Sequence, residues 1–185
     1  NDQVKEKSIL CDMFTKNSSE IVLNIDTLIS EIGLENSFFN DLMELKVFLS
    51  KYISEDDQNK MALKYFIKSE FYVKQKKTGD AINELAYLIK KYPKSKIASL
   101  AILRLSLLHY KVGGYEESLK YSSLLKNTEF EDQGIILSGQ IHQYKLDKQD
   151  KALGNYMRII NEFPKSIFFE PIRFHVREMK KEKNI

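Results

Sequence analysis

Apolar residues recur at three- and four-residue steps along most of the chain, the pattern of helices with one buried stripe. Ile21, Ile25, Leu28, Ile29 and Ile32 form the clearest early stripe. Ser18 or Ser19 is placed to cap this helix at its start and Gly33 at its end. Upstream, Val4, Ile9, Leu10, Met13 and Phe14 share one face of a helix over residues 1–16. Further helices are predicted over 38–53, 59–76, 81–92, 97–112, 115–127, 132–146 and 149–163. Asp80 is the expected cap of the 81–92 helix, and Pro93 cannot continue it. A last helix starts near Pro171 and turns Ile172, Val176 and Met179 inward. That makes nine or ten helices joined by short polar or glycine-bearing turns.

One stretch occurs twice. Ala81 to Ser95 reads AINELAYLIKKYPKS, and Ala152 to Ser166 reads ALGNYMRIINEFPKS, 71 residues later. A third copy, Tyr115 to Leu125, lies between them. Ala81 to Ser118 is 37 residues and Ser118 to Ala152 is 34, so the chain repeats at a period of about 34 residues. Leu42 to Tyr52 aligns with Ile82 to Tyr92 and marks a degenerate earlier unit. It lacks the small residue of the others, because Asp41 stands where Ala81 does. The organisation read from this is an N-terminal segment, 1–60, that is a cap or degenerate repeat, three repeats over 61–166, and a capping helix with a basic tail over 167–185.

Composition agrees with an all-α chain. Seven glycines and three prolines in 185 residues are few for the turns of an all-β fold. The net charge of +3 hides an asymmetry. Residues 1–60 hold 12 acidic and 6 basic side chains, whereas residues 61–185 hold 14 acidic and 23 basic ones. The bland reading is solvated helix faces; the sharper one is a partner that is acidic where it meets the basic two thirds. The single cysteine, Cys11, allows no internal disulfide and leaves the compartment open. It follows Leu10 rather than a small residue, which argues against a lipidation site. The chain begins at Asn1 without methionine, which points to a segment upstream. No apolar run is long enough to span a membrane; the best, Ile97 to Leu108, is interrupted by Arg104.

The residues resemble the tetratricopeptide repeat family. One unit offers Tyr65, Ser69, Tyr72, Ala81 and Pro93. The next offers Ile102, Leu105, Ser106, His109, Gly113, Tyr115, Ser118 and Leu125, without a closing proline. The third offers Gly139, His142, Ala152, Tyr156, Ile159 and Pro164. The small residues among these let paired helices approach closely. The resemblance implies a right-handed superhelix, an α-solenoid of antiparallel helix pairs, whose first helices line a concave surface. The Pro-Lys-Ser endings are similar to those of bacterial cell-envelope members, such as BamD-type outer-membrane assembly lipoproteins and periplasmic division-coordinating proteins. That likeness favours the periplasm or cell envelope, with the cytoplasm left open.

Candidate chemistry is sparse. His109, His142 and His175 are spaced by 33 residues each, a ladder that suggests a metal site. Equivalent positions in adjacent repeats lie about 10 Å apart, too far for one ion, so these read as packing histidines. Glu116, Glu117, Glu129, Glu131 and Asp132 sit in turns and first turns, where they complement the helix dipole. No phosphate-binding glycine loop or nucleophile motif is present. The sequence argues against an enzyme, a cofactor and a small-molecule substrate. It points to a non-catalytic scaffold, part of a larger assembly, that binds a peptide or protein on the concave face. Expected there are Glu70, Lys74, Arg104, Leu107, Tyr110, Lys111, Gln140, Gln143 and Tyr144, with Lys74, Arg104 and Lys111 placed to clamp an acidic segment or a carboxylate. A nucleic-acid-binding helical repeat is the alternative, motivated by the basic two thirds but lacking interleaved lysines and aromatics. Phe168 and Phe169, expected to be exposed at the open end, raise a further possibility of self-association.

Overall fold

The computed structural model describes residues 18–31 and 39–182, and all regular structure among them is helical. The helices are α1 (Ser18–Glu31), α2 (Phe39–Tyr52), α3 (Asp57–Lys74), α4 (Thr78–Lys91), α5 (Ala98–Lys111), α6 (Tyr115–Ser123), α7 (Glu131–Tyr144), α8 (Gln149–Glu162) and α9 (Phe169–Glu182). The expected 1–16 helix and the Gly33 cap lie outside the described residues. The fold is an all-α helical repeat, an α-solenoid: α3 packs on α4, α5 on α6 and α7 on α8, and each pair stacks on the next through α4–α5, α6–α7 and α8–α9. Among the described residues no helix is long and apolar enough to cross a membrane.

Turn chemistry repeats with the sequence. Each pair reverses at a residue with left-handed backbone: Lys76 (φ 61°), Gly113 (φ 83°) and Asp147 (φ 50°). Beyond it, the amide of Lys77 reaches Tyr72 O, that of Gly114 reaches His109 O and that of Lys148 reaches His142 O, at 2.8, 2.8 and 2.7 Å. These bonds satisfy carbonyls that the helix end leaves open. The two Pro-Lys-Ser endings also fold alike. Tyr92 and Phe163 share one conformation (φ −127°, ψ 54° and φ −126°, ψ 55°), and Ser95 and Ser166 donate their amides back to them.

Some boundaries differ from expectation. Ser18 and Ser19 lie inside α1, and Asp80 sits in the first turn of α4, whose preceding residue, Lys77, makes no side-chain cap. Helix α6 ends at Ser123 rather than 127. Ser122 and Ser123 turn their hydroxyls onto the carbonyls of Ser118 and Lys120, a local alternative to helix continuation. Leu125 nevertheless stays fully buried beneath Gly134, where a Cβ would lie 2.9 Å from both Leu125 Cδ1 and Ser122 O.

Small residues sit where paired helices cross. Ser69, Ala81, Ser106, Ser118 and Ala152 are fully buried. Ser118 Oγ donates to Ser106 O across the α5–α6 contact at 2.7 Å. At the end of the array, Val176 and Met179 are buried and Ile172 is half-buried, as expected. Phe168 and Phe169 are half-buried, not exposed; Ile167 (84%) and Phe174 (66%) are the exposed apolar groups there.

Candidate functional site: the face of the first helices

The first helices of the three pairs, α3, α5 and α7, carry the residues expected to bind. Helix α5 also touches α7 directly, past the intervening α6. Residues at matching positions therefore form rows: Glu70, Leu107 and Gln140 in one, and Lys74, Lys111 and Tyr144 in another.

The α3–α5 end of this face is already engaged. Arg104 donates Nε to Glu70 Oε1 at 2.6 Å and Nη2 to Glu70 Oε2 at 2.7 Å. This fork-to-fork pair holds both groups. Arg104 is thus not free to join Lys74 and Lys111 in a three-point clamp. Glu70, Lys74 and Arg104 instead edge a cavity of about 400 Å³ whose apolar walls are Phe66, Phe71 and Leu100 on one side and Leu45 and Phe48 of α2 on the other. Phe48 lies 5.8 Å from Phe66, centroid to centroid.

The α5–α7 end is open. Leu107 is 38% and Tyr144 61% exposed, and Lys111 and Gln140 are exposed beside them. Tyr110 is half-buried against Tyr115, with ring centroids 5.9 Å apart. Lys145 Nζ stands 5.7 Å from the first ring and 6.0 Å from the second, within cation–π range of both. Gln143 is engaged within the chain. Its Oε1 accepts from the Tyr156 hydroxyl at 2.9 Å and lies 2.8 Å from His175 Nε2, so its amide is committed to joining α7, α8 and α9.

The histidines pack. His109 stacks on Tyr121 (5.4 Å, 14°), His175 meets Tyr156 edge-on (5.2 Å, 83°), and His142 Nδ1 pairs with Asn155 Nδ2 at 3.2 Å. Burial pushes the His109 and His142 imidazoles below their ordinary value. It pushes the Tyr156 phenol upward, because a buried phenolate would lose its hydration.

Two features were not anticipated from sequence: the seating of α2 against α3, and Lys145 between two tyrosines. The first left a trace in the apolar Leu45 and Phe48, but their destination was not readable. The second joins residues 30 or more positions apart and left none.

The family model of the tetratricopeptide repeat matches residues 65–95 and 137–166, which start within α3 and α7 and run through α4 and α8 to their Pro-Lys-Ser endings. The α5–α6 unit between them has the same reversal geometry but lacks the proline. No curated protein and no solved structure matches the chain. The molecule is an all-α helical repeat, and two of its helix pairs match the tetratricopeptide repeat model. Such repeats generally mediate protein–protein interaction and generally act as non-catalytic scaffolds.

Proposed function

We propose that this chain is a protein-interaction scaffold that receives a peptide or protein segment on the first-helix face of α5 and α7, within a larger assembly. The observation that carries the reading is the pair of rows Leu107–Gln140 and Lys111–Tyr144. They set exposed apolar and polar groups side by side, at matching positions of consecutive units. Aromatic side chains with a polar tip make good interface anchors because they contribute area at low entropic cost. Lys111 and Lys145 give this end a positive flank, which suits an acidic segment. The resemblance of the Pro-Lys-Ser endings to those of cell-envelope scaffolds supports a cell-envelope setting, with the cytoplasm left open.

The test is cross-linked affinity capture from native lysate. It compares the intact chain with a Leu107→Ala, Lys111→Glu, Tyr144→Ala variant whose circular dichroism is unchanged. A protein captured by the first and lost by the second supports this face as the docking surface. Recovery of the same proteins by both rejects it.

A further inference from the structure

We infer that α9 is a self-association surface: two copies of this chain pair their α9 helices antiparallel, along a seam of Glu170, Phe174, Arg177 and Lys181. The occupant is a second copy of this chain, on a surface that shares no residue with the rows of Leu107, Gln140, Lys111 and Tyr144.

The register of α9 carries the first step. The two Pro-Lys-Ser endings lie 71 residues apart, and α5 and α9 start at the same distance beyond them, at Ala98 and Phe169. Ala101, Leu105 and Leu108 of α5 share a buried cluster with Ala81, Leu85 and Leu88 of α4. Their equivalents in α9, Ile172, Val176 and Met179, cluster with Ala152 and Tyr156 of α8. Helix α9 therefore docks on α8 as α5 docks on α4, as the first helix of a pair. The opposite side of α5 is closed by α6 and α7. There Leu103 and Ser106 are buried, and Ser118 of α6 donates its hydroxyl to Ser106 O at 2.7 Å. The equivalents of Leu103 and Ser106 are Phe174 and Arg177. Phe174 is 66% exposed, Arg177 is exposed beside it, and no described helix closes that side of α9. Arg177, standing where α5 and α7 have Ser106 and Gly139, also bars the close crossing that a second helix makes in those pairs.

The order of charges along the open side carries the second step. Glu170, Phe174, Arg177 and Lys181 are all exposed and fall at four-, three- and four-residue steps, the spacing of one straight seam along a helix. The seam complements itself in one direction only. With two helices antiparallel and the two-fold axis between Phe174 and Arg177, Glu170 faces Lys181 of the second copy and Phe174 faces Arg177 of the second copy. The symmetry makes each contact twice. Opposite charges then meet in the outer layers, and a guanidinium meets an aromatic ring in the inner ones. A parallel pair would instead set Glu170 on Glu170, Arg177 on Arg177 and Lys181 on Lys181, like charges in three layers of four. Little within one copy competes. The Glu170–Arg173 and Glu178–Lys181 pairs, both at 2.8 Å, are exposed and contribute little. Among the described residues no hydrogen bond or ion pair holds the Arg177 side chain. Four layers, mostly polar, make a small interface, below about 1,200 Å², so the dimer is weak and depends on concentration.

The test is sedimentation equilibrium of the full chain from low micromolar to millimolar concentration, in reducing agent so that Cys11 cannot link copies. The intact chain should show a monomer–dimer equilibrium within that range. Glu170→Lys alone and Lys181→Glu alone each set like charges in both outer layers and should weaken the dimer at least about tenfold. Phe174→Ala, which removes the ring from both inner layers, should do the same. Mixing the Glu170→Lys chain with the Lys181→Glu chain puts opposite charges back into both outer layers, so a mixed dimer should form with an affinity near that of the intact chain. All three side chains are exposed, and circular dichroism checks that each variant is folded. A monomer at the highest concentration overturns self-association. A dimer that any of the three substitutions leaves unchanged overturns this seam. Single variants that stay weak after mixing overturn the antiparallel register. None of these variants touches Leu107, Lys111 or Tyr144, so the scaffold reading stands or falls separately by its own capture experiment.

Discussion

Gly139 of α7 lies directly against the ring of Tyr156 on α8: a Cβ added to the glycine would fall far inside contact distance of Tyr156 Cε1, and within 2.9 Å of Cδ1 and Cζ. The ring has nowhere to go. Tyr156 is 1% exposed, its hydroxyl is bonded to Gln143, and His175 stands edge-on to it. Helices α7 and α8 can close only because position 139 has no side chain. Gly139→Ala should therefore lower stability by about 1–3 kcal/mol through overpacking, despite the better helix propensity of alanine. Denaturant melts read the loss. Gly154, with open space around its Cβ position, is the control, and Gly154→Ala should be neutral or stabilising.

Tyr156→Phe removes the hydroxyl but keeps the ring. Gln143 Oε1 retains His175 Nε2 as its neighbour. The cost should be about 0.5–1.5 kcal/mol, the net worth of one hydrogen bond. Adding His175→Phe strips the second partner and leaves a half-buried amide oxygen alone. The double variant should then lose more than the sum of the singles, as a double-mutant cycle in urea would show.

Glu70 and Arg104 form a two-bond pair between neighbouring repeats, each about one third exposed in its side chain. Partial exposure screens the attraction. Their coupling in a cycle of Glu70→Gln and Arg104→Gln should be about 1 kcal/mol or less and should shrink in high salt. A coupling near that of a buried pair would contradict the exposure seen here.

His109 and His142 make stability depend on pH. Both are held below the ordinary 6.5 chiefly by burial; for His109, Glu117 opposes the shift and Lys120 adds to it, and for His142, a hydrogen bond to the Ser138 backbone opposes it while Lys151 and Lys148 add to it. Below 6.5 the unfolded chain binds protons that the folded chain does not, so stability is complete above that pH and falls as the solution is acidified through it. Urea midpoints at pH 7.5 and 5.5 should differ accordingly. In a His109→Phe, His142→Phe variant the slope between them should flatten.

Pro93 and Pro164, with the serines two residues on, announced two identical endings, and the structure repeats them almost angle for angle. The ladder of histidines was legible as a packing ladder because His109 and His142 occupy the place of Tyr72. The premature end of α6 was less legible. Its apolar Leu124 and Leu125 continue the helical pattern, and only the serine hydroxyls and the absence of a proline hinted that the backbone would leave the helix.

Local information determined the helices, their pairing and the repeat, because each depends on periodicity and turn chemistry within about 34 residues. The small residues at 69, 81, 106, 118, 139 and 152 likewise declared the close crossings in advance. Tertiary structure alone decided which candidate side chains remain available. Gln143 was drawn into the α8–α9 contact by Tyr156 and His175, and Arg104 was taken by Glu70. Leu107 and Tyr144 stayed exposed. Only the assembled chain showed that Leu45 and Phe48 of α2 face Phe66 and Leu100 of the first helices across one groove. Apolar periodicity specifies that a ridge must be buried; it carries no information about which distant surface buries it.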